Sequence, residues 1–286
     1  MLKYLRAVPE NAEKWGAAVK SSDPHFSIDY YRAFGGGALA VLYDGDEPKA
    51  ALPFRHQGDQ WVGNAYNFGG AVGDAPSIAE FYRQWEASRR ILNLNERCTV
   101  SPFIHQTSPP GSTVVFTRSV LVDLTKPLQI RGTTRRLADR WVGKLKFNRV
   151  DPDRFHAEAF WHDYDQLMAS KDAEAHWRYN LDFFYNVLTN LGPDRSALFA
   201  TTNKDHDTVS WCLMVFDEKV CYYHWAARHS YSSPPDHFQV MSAIQWAQSE
   251  GKEKLFLGGG NESLLRFKRG FSDEEIPILR YVSEVK

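Results

Sequence analysis

Apolar positions along this 286-residue chain alternate between two periods, and the switches mark out its elements. Ile78, Phe81, Tyr82 and Trp85 fall at i, i+3, i+4 and i+7, the stripe of a helix that buries one face, and predict a helix over 77–92. Trp177, Leu181, Phe184, Tyr185 and Leu188 share one helical face and predict a helix over 174–190. Further helices are expected at 9–20, 27–34 and 236–250. Strands are expected at 38–43 and 48–55, joined across Asp44-Gly45, a hairpin signal. Two more follow near 97–103 and 113–123, split by Ser108-Pro109-Pro110-Gly111. In the second half, strands at 196–201, 207–217 and 219–227 read as an antiparallel meander, with later strands at 253–257 and 277–284. The second half repeats the mixed α/β order of the first, which predicts a structural duplication without a short sequence repeat. The length suggests two domains. They are expected at 1–128 and 129–286, with the boundary after Asp123-Leu124-Thr125-Lys126-Pro127.

Composition narrows the class. Apolar residues make up 43% and aromatics 14%, with nine Trp, enough for cores packed around large rings. The net charge of −1 excludes a polycation, so any nucleic-acid contact must come from a local patch. One such patch exists. Arg131, Arg135, Arg136, Arg140, Lys144, Lys146 and Arg149 stand against the single acid Asp139 within 131–149, seven minus one giving +6. Arg136, Arg140 and Lys144 at i, i+4 and i+8 predict one helical face. That face reads either as solvated surface or as a phosphate-contacting helix. Cys98, Cys212 and Cys221 are odd in number and lack C-x-x-C spacing, which argues against a disulfide framework or structural zinc. The first residues lack the apolar core of a signal peptide, and no apolar run reaches ~18 residues, the length of a spanning helix. These features fit a cytoplasmic enzyme without membrane insertion.

The chain carries no H-E-x-x-H, G-x-S-x-G or Walker A motif. His224, His229 and His237 are close in sequence without metal-ligand spacing, so no metal is expected. The densest signal lies near the C-terminus. Leu255-Phe256-Leu257 runs into Gly258-Gly259-Gly260, and Ser263-Leu264-Leu265-Arg266-Phe267-Lys268-Arg269-Gly270-Phe271 follows. Three glycines allow a tight turn and close backbone approach, and the next turn delivers one lysine among aromatics. A lysine there is either a surface charge or a compact cation for a site where negative charge develops.

This stretch resembles the C-terminal signature of the Fem-type aminoacyl transferases, enzymes of tandem GNAT fold. The likeness continues in Tyr222-Tyr223-His224-Trp225-Ala226-Ala227, in Ser233-Pro234-Pro235 with helix 236–250 and Gly251, and more loosely in Ala51-Leu52-Pro53-Phe54 and Asn67-Phe68-Gly69-Gly70. The resemblance implies two tandem GNAT-like domains, each a mostly antiparallel mixed sheet flanked by helices. It implies transfer of an amino acid from aminoacyl-tRNA, as co-substrate, to the amine of a small peptide or peptide-like acceptor, an antibiotic or cell-wall precursor, with no cofactor. Lys268 aligns with the family lysine assigned to oxyanion stabilisation. Phe267 falls near the terminal adenosine, and Arg136, Arg140 and Lys144 take the place of the family's basic helix on the donor side. Arg178 resembles an acceptor-binding arginine, an exposed helical arginine being the other reading. Tyr223 and Trp225 lie on the acceptor strand, Trp225 where the family has a tyrosine, which points away from a standard peptidoglycan precursor.

The alternative from the same fold is an N-acyltransferase using acyl-CoA or a carrier-bound acyl group. A non-catalytic module in a biosynthetic complex is a further one. Acyl-CoA enzymes of this fold hold pyrophosphate on a glycine-rich loop after the central strand. Here that stretch is Arg228-His229-Ser230-Tyr231-Ser232-Ser233-Pro234-Pro235, with no glycine and two prolines that remove N–H donors. The loop therefore favours the tRNA donor.

Overall fold

The computed structural model describes residues 1–57, 60–62, 69–91, 95–99, 102–103, 112–174, 177–229 and 235–283. Two compact units make up the chain, residues 1–117 with 277–286, and residues 118–276.

The first unit starts with strand β1 (Leu2–Arg6) and helices α1 (Ala12–Val19) and α2 (Ile28–Ala33). Strands β2 (Ala38–Asp44), β3 (Glu47–Gln57), β4 (Gln60–Val62) and the short β5 (Val72–Gly73) follow, then α3 (Ala75–Ile91) and β6 (Asn95–Thr99). β1, β2, β3 and β4 pair antiparallel in that order, and β4 pairs parallel to β6. The hairpin expected across Asp44-Gly45 joins β2 to β3 one residue later, through Gly45-Asp46, since Asp44 pairs with Glu47 and Gly45 turns at φ +59°. The stripe Ile78, Phe81, Tyr82 and Trp85 is buried against Ala40, Leu42, Leu52 and Phe54, as its spacing requires. Asn67-Phe68 of the looser family likeness and the strand break expected at Ser108–Gly111 lie outside the described residues.

The second unit takes the end of β7 (Ser112–Asp123), then α4 (Gly132–Asp139), β8 (Leu145–Val150), α5 (Arg154–Ser170) and α6 (Leu181–Leu191). A meander of β9 (Ser196–Asn203), β10 (Thr208–Phe216) and β11 (Val220–Arg228) leads to α7 (Asp236–Ser249), β12 (Lys254–Gly258) and α8 (Glu262–Lys268), and β13 (Glu275–Ser283) returns to the first unit from Pro277 on. β8, β9, β10 and β11 pair antiparallel, β11 pairs parallel to β12, and β12 pairs antiparallel to β7. Both units thus run strand, two helices, antiparallel meander, helix, parallel strand. On one face of the second sheet, Phe199, Cys212, Met214 and Leu257 pack with Ala243 and Ile244 of α7 and Leu265 of α8. On the other, Phe183 and Phe184 of α6 meet the buried Trp225 of β11, and Phe160 of α5 packs on Phe184. At the end of the chain, Arg280–Ser283 of β13 pair with Glu96–Thr99 of β6.

Three local expectations change. The helix expected at 174–190 begins only at Leu181, because Asn180 stops it: its side chain accepts the Phe183 N–H at 2.9 Å and caps the first turn. The three-residue cation face does not exist as a helix, since α4 ends at Asp139. Arg140 is its C-cap, Gly143 turns at φ +75°, and Lys144 sits in the turn before β8. Helix α5 was not anticipated, although Ala157, Phe160, Tyr164 and Leu167 stand at helical spacing and are buried. Asp153 caps it through the His156 N–H at 2.8 Å.

Candidate active site

The turn after β12 is built for a lysine. Leu255, Phe256 and Leu257 are buried, so the strand ends anchored. Gly258 and Gly260 adopt φ +76° and +153°, values that side-chain-bearing residues rarely reach. Asn261 then caps α8, its side-chain Oδ1 accepting the Leu264 N–H at 3.0 Å. Seven residues on, the helix ends at Lys268, whose Nζ returns to the turn and donates to the Gly259 carbonyl at 2.6 Å. A Cβ built on Gly258 lies 3.5 Å from that Nζ and 3.7 Å from the Phe256 ring. The ammonium therefore rests against bare backbone at the end of a strand. Lys268 is partly buried, and desolvation lowers its pKa to about 7. The neighbouring Arg269 is neutralised by Glu262 and Glu275, whereas Lys268 has no carboxylate partner among the described residues.

Beside this turn the two parallel strands part. β11 and β12 pair through Tyr222–Phe256, yet β11 continues to Arg228 and β12 to Gly258. A register shift in β10–β11 sets Tyr223 opposite Met214 and Trp225 opposite Leu213, which makes His224 the extra residue of a bulge. The bulge sends its neighbours to different faces. The Tyr223 hydroxyl accepts from Gln239 Nε2 of α7 at 2.6 Å, and burial pushes its phenol pKa up. Gln239 also donates to the Trp211 carbonyl at 2.9 Å and accepts from Ser210, so Tyr223 belongs to a buried polar cluster under α7. Trp225 points the other way, with Phe183 and Phe184 edge-on at 5.4 and 5.7 Å and His224 stacked on it at 4.0 Å.

The other expected residues divide between these faces. Tyr179 reaches Trp225 edge-on at 6.2 Å, which brings the adjacent Arg178 to the Trp225 side, and Arg178 donates to Asp165 from Nε and Nη2 at 3.0 and 2.7 Å. Phe267 packs edge-on to His237 and Phe271 at 4.9 and 5.3 Å, on the α7 side. All seven cations of 131–149 are exposed. Two are committed, Arg131 to Asp273 at 2.8 Å and Arg149 to the carbonyls of Pro193 and Ser196. Arg135, Arg136, Arg140, Lys144 and Lys146 have no ion-pair partner among the described residues. The Arg131 N–H donates to the Gly270 carbonyl at 2.9 Å, and Gly270 presses on Thr134, so α4 is seated against the end of α8.

The three nearby histidines go to separate places. His229 Nδ1 lies 3.0 Å from Asp163 Oδ1, and Trp211 Nε1 donates to Asp163 Oδ2 at 2.9 Å. Neither the buried Asp163, the Gln239 cluster nor the bulge at His224 was foreseen. Asp163 carried a readable signal, a carboxylate on the edge of an apolar helical stripe.

Residues 128–269 match the acetyltransferase (GNAT) domain family. No curated protein matches the sequence significantly. Among solved structures, L-PGS from Bacillus licheniformis is 12% identical with a TM-score of 0.69, covering 98% of this chain and 93% of that one. FemX is 12% identical with a TM-score of 0.63, covering 99% and 95%. A tandem GNAT protein from the clavulanic acid biosynthesis pathway is 8% identical with a TM-score of 0.57, covering 100% and 99%. The chain has a tandem GNAT-like fold. Among its described residues, no helix is long and apolar enough to cross a membrane.

Proposed function

We propose that the protein transfers an aminoacyl group from aminoacyl-tRNA to the amine of a small peptide or peptide-like acceptor, forming an amide. The observation that carries this reading is the Lys268 ammonium, held against Gly258 and Gly259 where β11 and β12 part. An activated ester needs no covalent enzyme intermediate. Orientation and stabilisation of the tetrahedral oxyanion account for most of the acceleration, and a desolvated cation stabilises that charge as it develops. The fold shared with FemX and with a protein of the clavulanic acid biosynthesis pathway supports the reading. In this reading the five uncommitted cations of 131–149, Arg136, Arg140 and Lys144 among them, contact tRNA phosphates. Phe267 lies on the donor side. Arg178, Trp225 and Tyr223 serve the acceptor, the buried Trp225 through the partly exposed Tyr179 and His224 that pack on it.

A second reading, transfer from acyl-CoA, draws on the acetyltransferase-domain match. Against it stands the start of α7, where a pyrophosphate would look for free N–H groups. Pro235 precedes the helix without a side-chain cap, and the Asp236 carboxylate occupies the first turn, paired with Arg228 at 3.1 Å. Incubation with charged total tRNA, radiolabelled amino acids and candidate amines separates the two. Ribonuclease-sensitive transfer is expected. Transfer from acetyl-CoA that survives ribonuclease would replace the first reading with the second.

A further inference from the structure

A neutral amine must attack, and after attack it must lose a proton. Lys268 acts in this reading as the ammonium that stabilises the oxyanion, and in that form it has no site to receive a proton. Tyr223 faces the α7 side as a hydroxyl locked by Gln239. The bulge residue His224 is placed differently. It is partly exposed, and its ring plane is fixed by stacking on Trp225 at 4.0 Å and 23°. Tyr222 lies 6.4 Å from His224, and Phe256 lies 5.9 Å from Tyr222. Phe256 in turn borders the Gly258 position where Lys268 Nζ rests. Phe256 and Tyr222 therefore link the lysine turn at the end of β12 to the imidazole on β11 through successive ring neighbours. Bulges re-aim side chains in this way beside reacting centres.

We propose that His224 is the catalytic proton acceptor of this site. The inference rests on the transferase reading above. The amine lone pair forms the C–N bond while the carbonyl π pair moves to oxygen, beside Lys268. The proton leaves nitrogen for a ring nitrogen of His224. Collapse of the oxyanion breaks the C–O bond to the tRNA ribose, and the imidazolium returns the proton to that leaving oxygen. Amide and free hydroxyl are the products, and His224 ends neutral. Imidazole is the side chain suited to both transfers near neutral pH.

The test compares single-turnover transfer by the parent, His224→Gln and His224→Ala. General-base assistance is worth ~10²–10⁴-fold, so His224→Gln should lose about 10²-fold with donor affinity unchanged. Free imidazole should restore part of the rate of His224→Ala. Transfer by His224→Gln within threefold of the parent, or no rescue by imidazole, overturns the assignment. Every acyl donor poses the same proton problem, so the comparison uses whichever donor the parent accepts. A parent that uses acyl-CoA but not charged tRNA sinks the donor reading and leaves the His224 comparison intact. A second measurement needs no substrate and no variant of His224. The His224 ring titration is followed by NMR in the parent and in Lys268→Met. Loss of a nearby cation should raise the imidazole pKa by a few tenths of a unit or more, and an unmoved titration removes His224 from the lysine's surroundings.

Discussion

Lys268 Nζ donates to the carbonyl of Gly259 at 2.6 Å, so the last residue of α8 is tied to the turn that begins the helix. The bond holds the ammonium beside the turn without neutralising it. It leaves two of three ammonium protons for another acceptor. Losing one oxyanion donor costs ~2.7–4 kcal/mol, or ~10²–10³ in turnover. Lys268→Met should lose about that factor in single-turnover transfer while retaining tRNA affinity. Lys268→Arg should recover only part, since a planar guanidinium cannot place its charge against Gly258 as a compact ammonium does. A Met variant within threefold of the parent would make this lysine an ordinary surface charge.

The same lysine sets a pH dependence. Its folded pKa is about 7 against an ordinary 10.5, the shift coming from desolvation. A step that needs the ammonium should therefore weaken as pH rises through about 7. For stability the sign is opposite. Below the folded pKa the buried charge is fully present and opposes folding. Between about 7 and 10.5 the unfolded chain binds the extra proton, so stability rises with pH over that window. Lys268→Met should accordingly stabilise the protein by about 1–2 kcal/mol at pH 6 and by nearly nothing at pH 10.5. Urea unfolding at the two values checks this, and an equal effect at both would contradict burial as the cause.

Much of the fold was legible because its helices and strands bury one face at a fixed period. Ile78, Phe81, Tyr82 and Trp85 could be placed from spacing alone, and so could the meander of β9, β10 and β11. Lys268 stood out because glycines at unusual φ must precede it. What was not legible depends on contacts between distant residues. The cation stripe failed because α4 ends at Asp139 and the chain then turns through Gly143 into β8, which spacing among charges cannot reveal. The parting of Tyr223 and Trp225 onto opposite faces depends on a one-residue bulge, and two-residue alternation without a bulge places both on the same face.

The glycine turn gives a third prediction. Gly260 has φ +153°, and a Cβ there meets Leu264 Cδ2 at 2.6 Å. The same added Cβ lies 2.9 Å from Leu264 Cβ, which α8 holds in place, so the backbone conformation and this contact both contribute. Gly260→Ala should destabilise by about 1–3 kcal/mol. Because the turn positions Lys268, transfer at a temperature where the variant is folded should also fall. Gly251→Ala serves as a comparison: φ is +70° with open space around the added Cβ, far from the lysine in sequence. It should lose stability without losing rate, and equal rate losses in both would detach the turn from the chemistry.

The last prediction concerns the basic segment, where the structure divides cations that look alike in sequence. Arg131 is paired with Asp273, and Arg149 with two backbone carbonyls. Arg136 and Arg140 are exposed with no ion-pair partner among the described residues, in and at the C-cap of α4, the helix that Gly270 and Arg131 seat against the end of α8. Each phosphate contact contributes ~0.9 to the slope of log affinity against log salt on duplex nucleic acid. Reversing both charges with Arg136→Glu and Arg140→Glu should weaken tRNA binding by at least about tenfold at low salt and flatten that slope by about 2. Reversal of Arg149 should instead destabilise the fold at the start of β9 and leave the salt slope nearly unchanged, because its guanidinium is already used by Pro193 and Ser196. Filter binding of tRNA across a salt series reads both quantities. A double variant with the parent's affinity and slope would return this segment to the role of solvated surface, and the tRNA contact would have to be sought elsewhere in the chain.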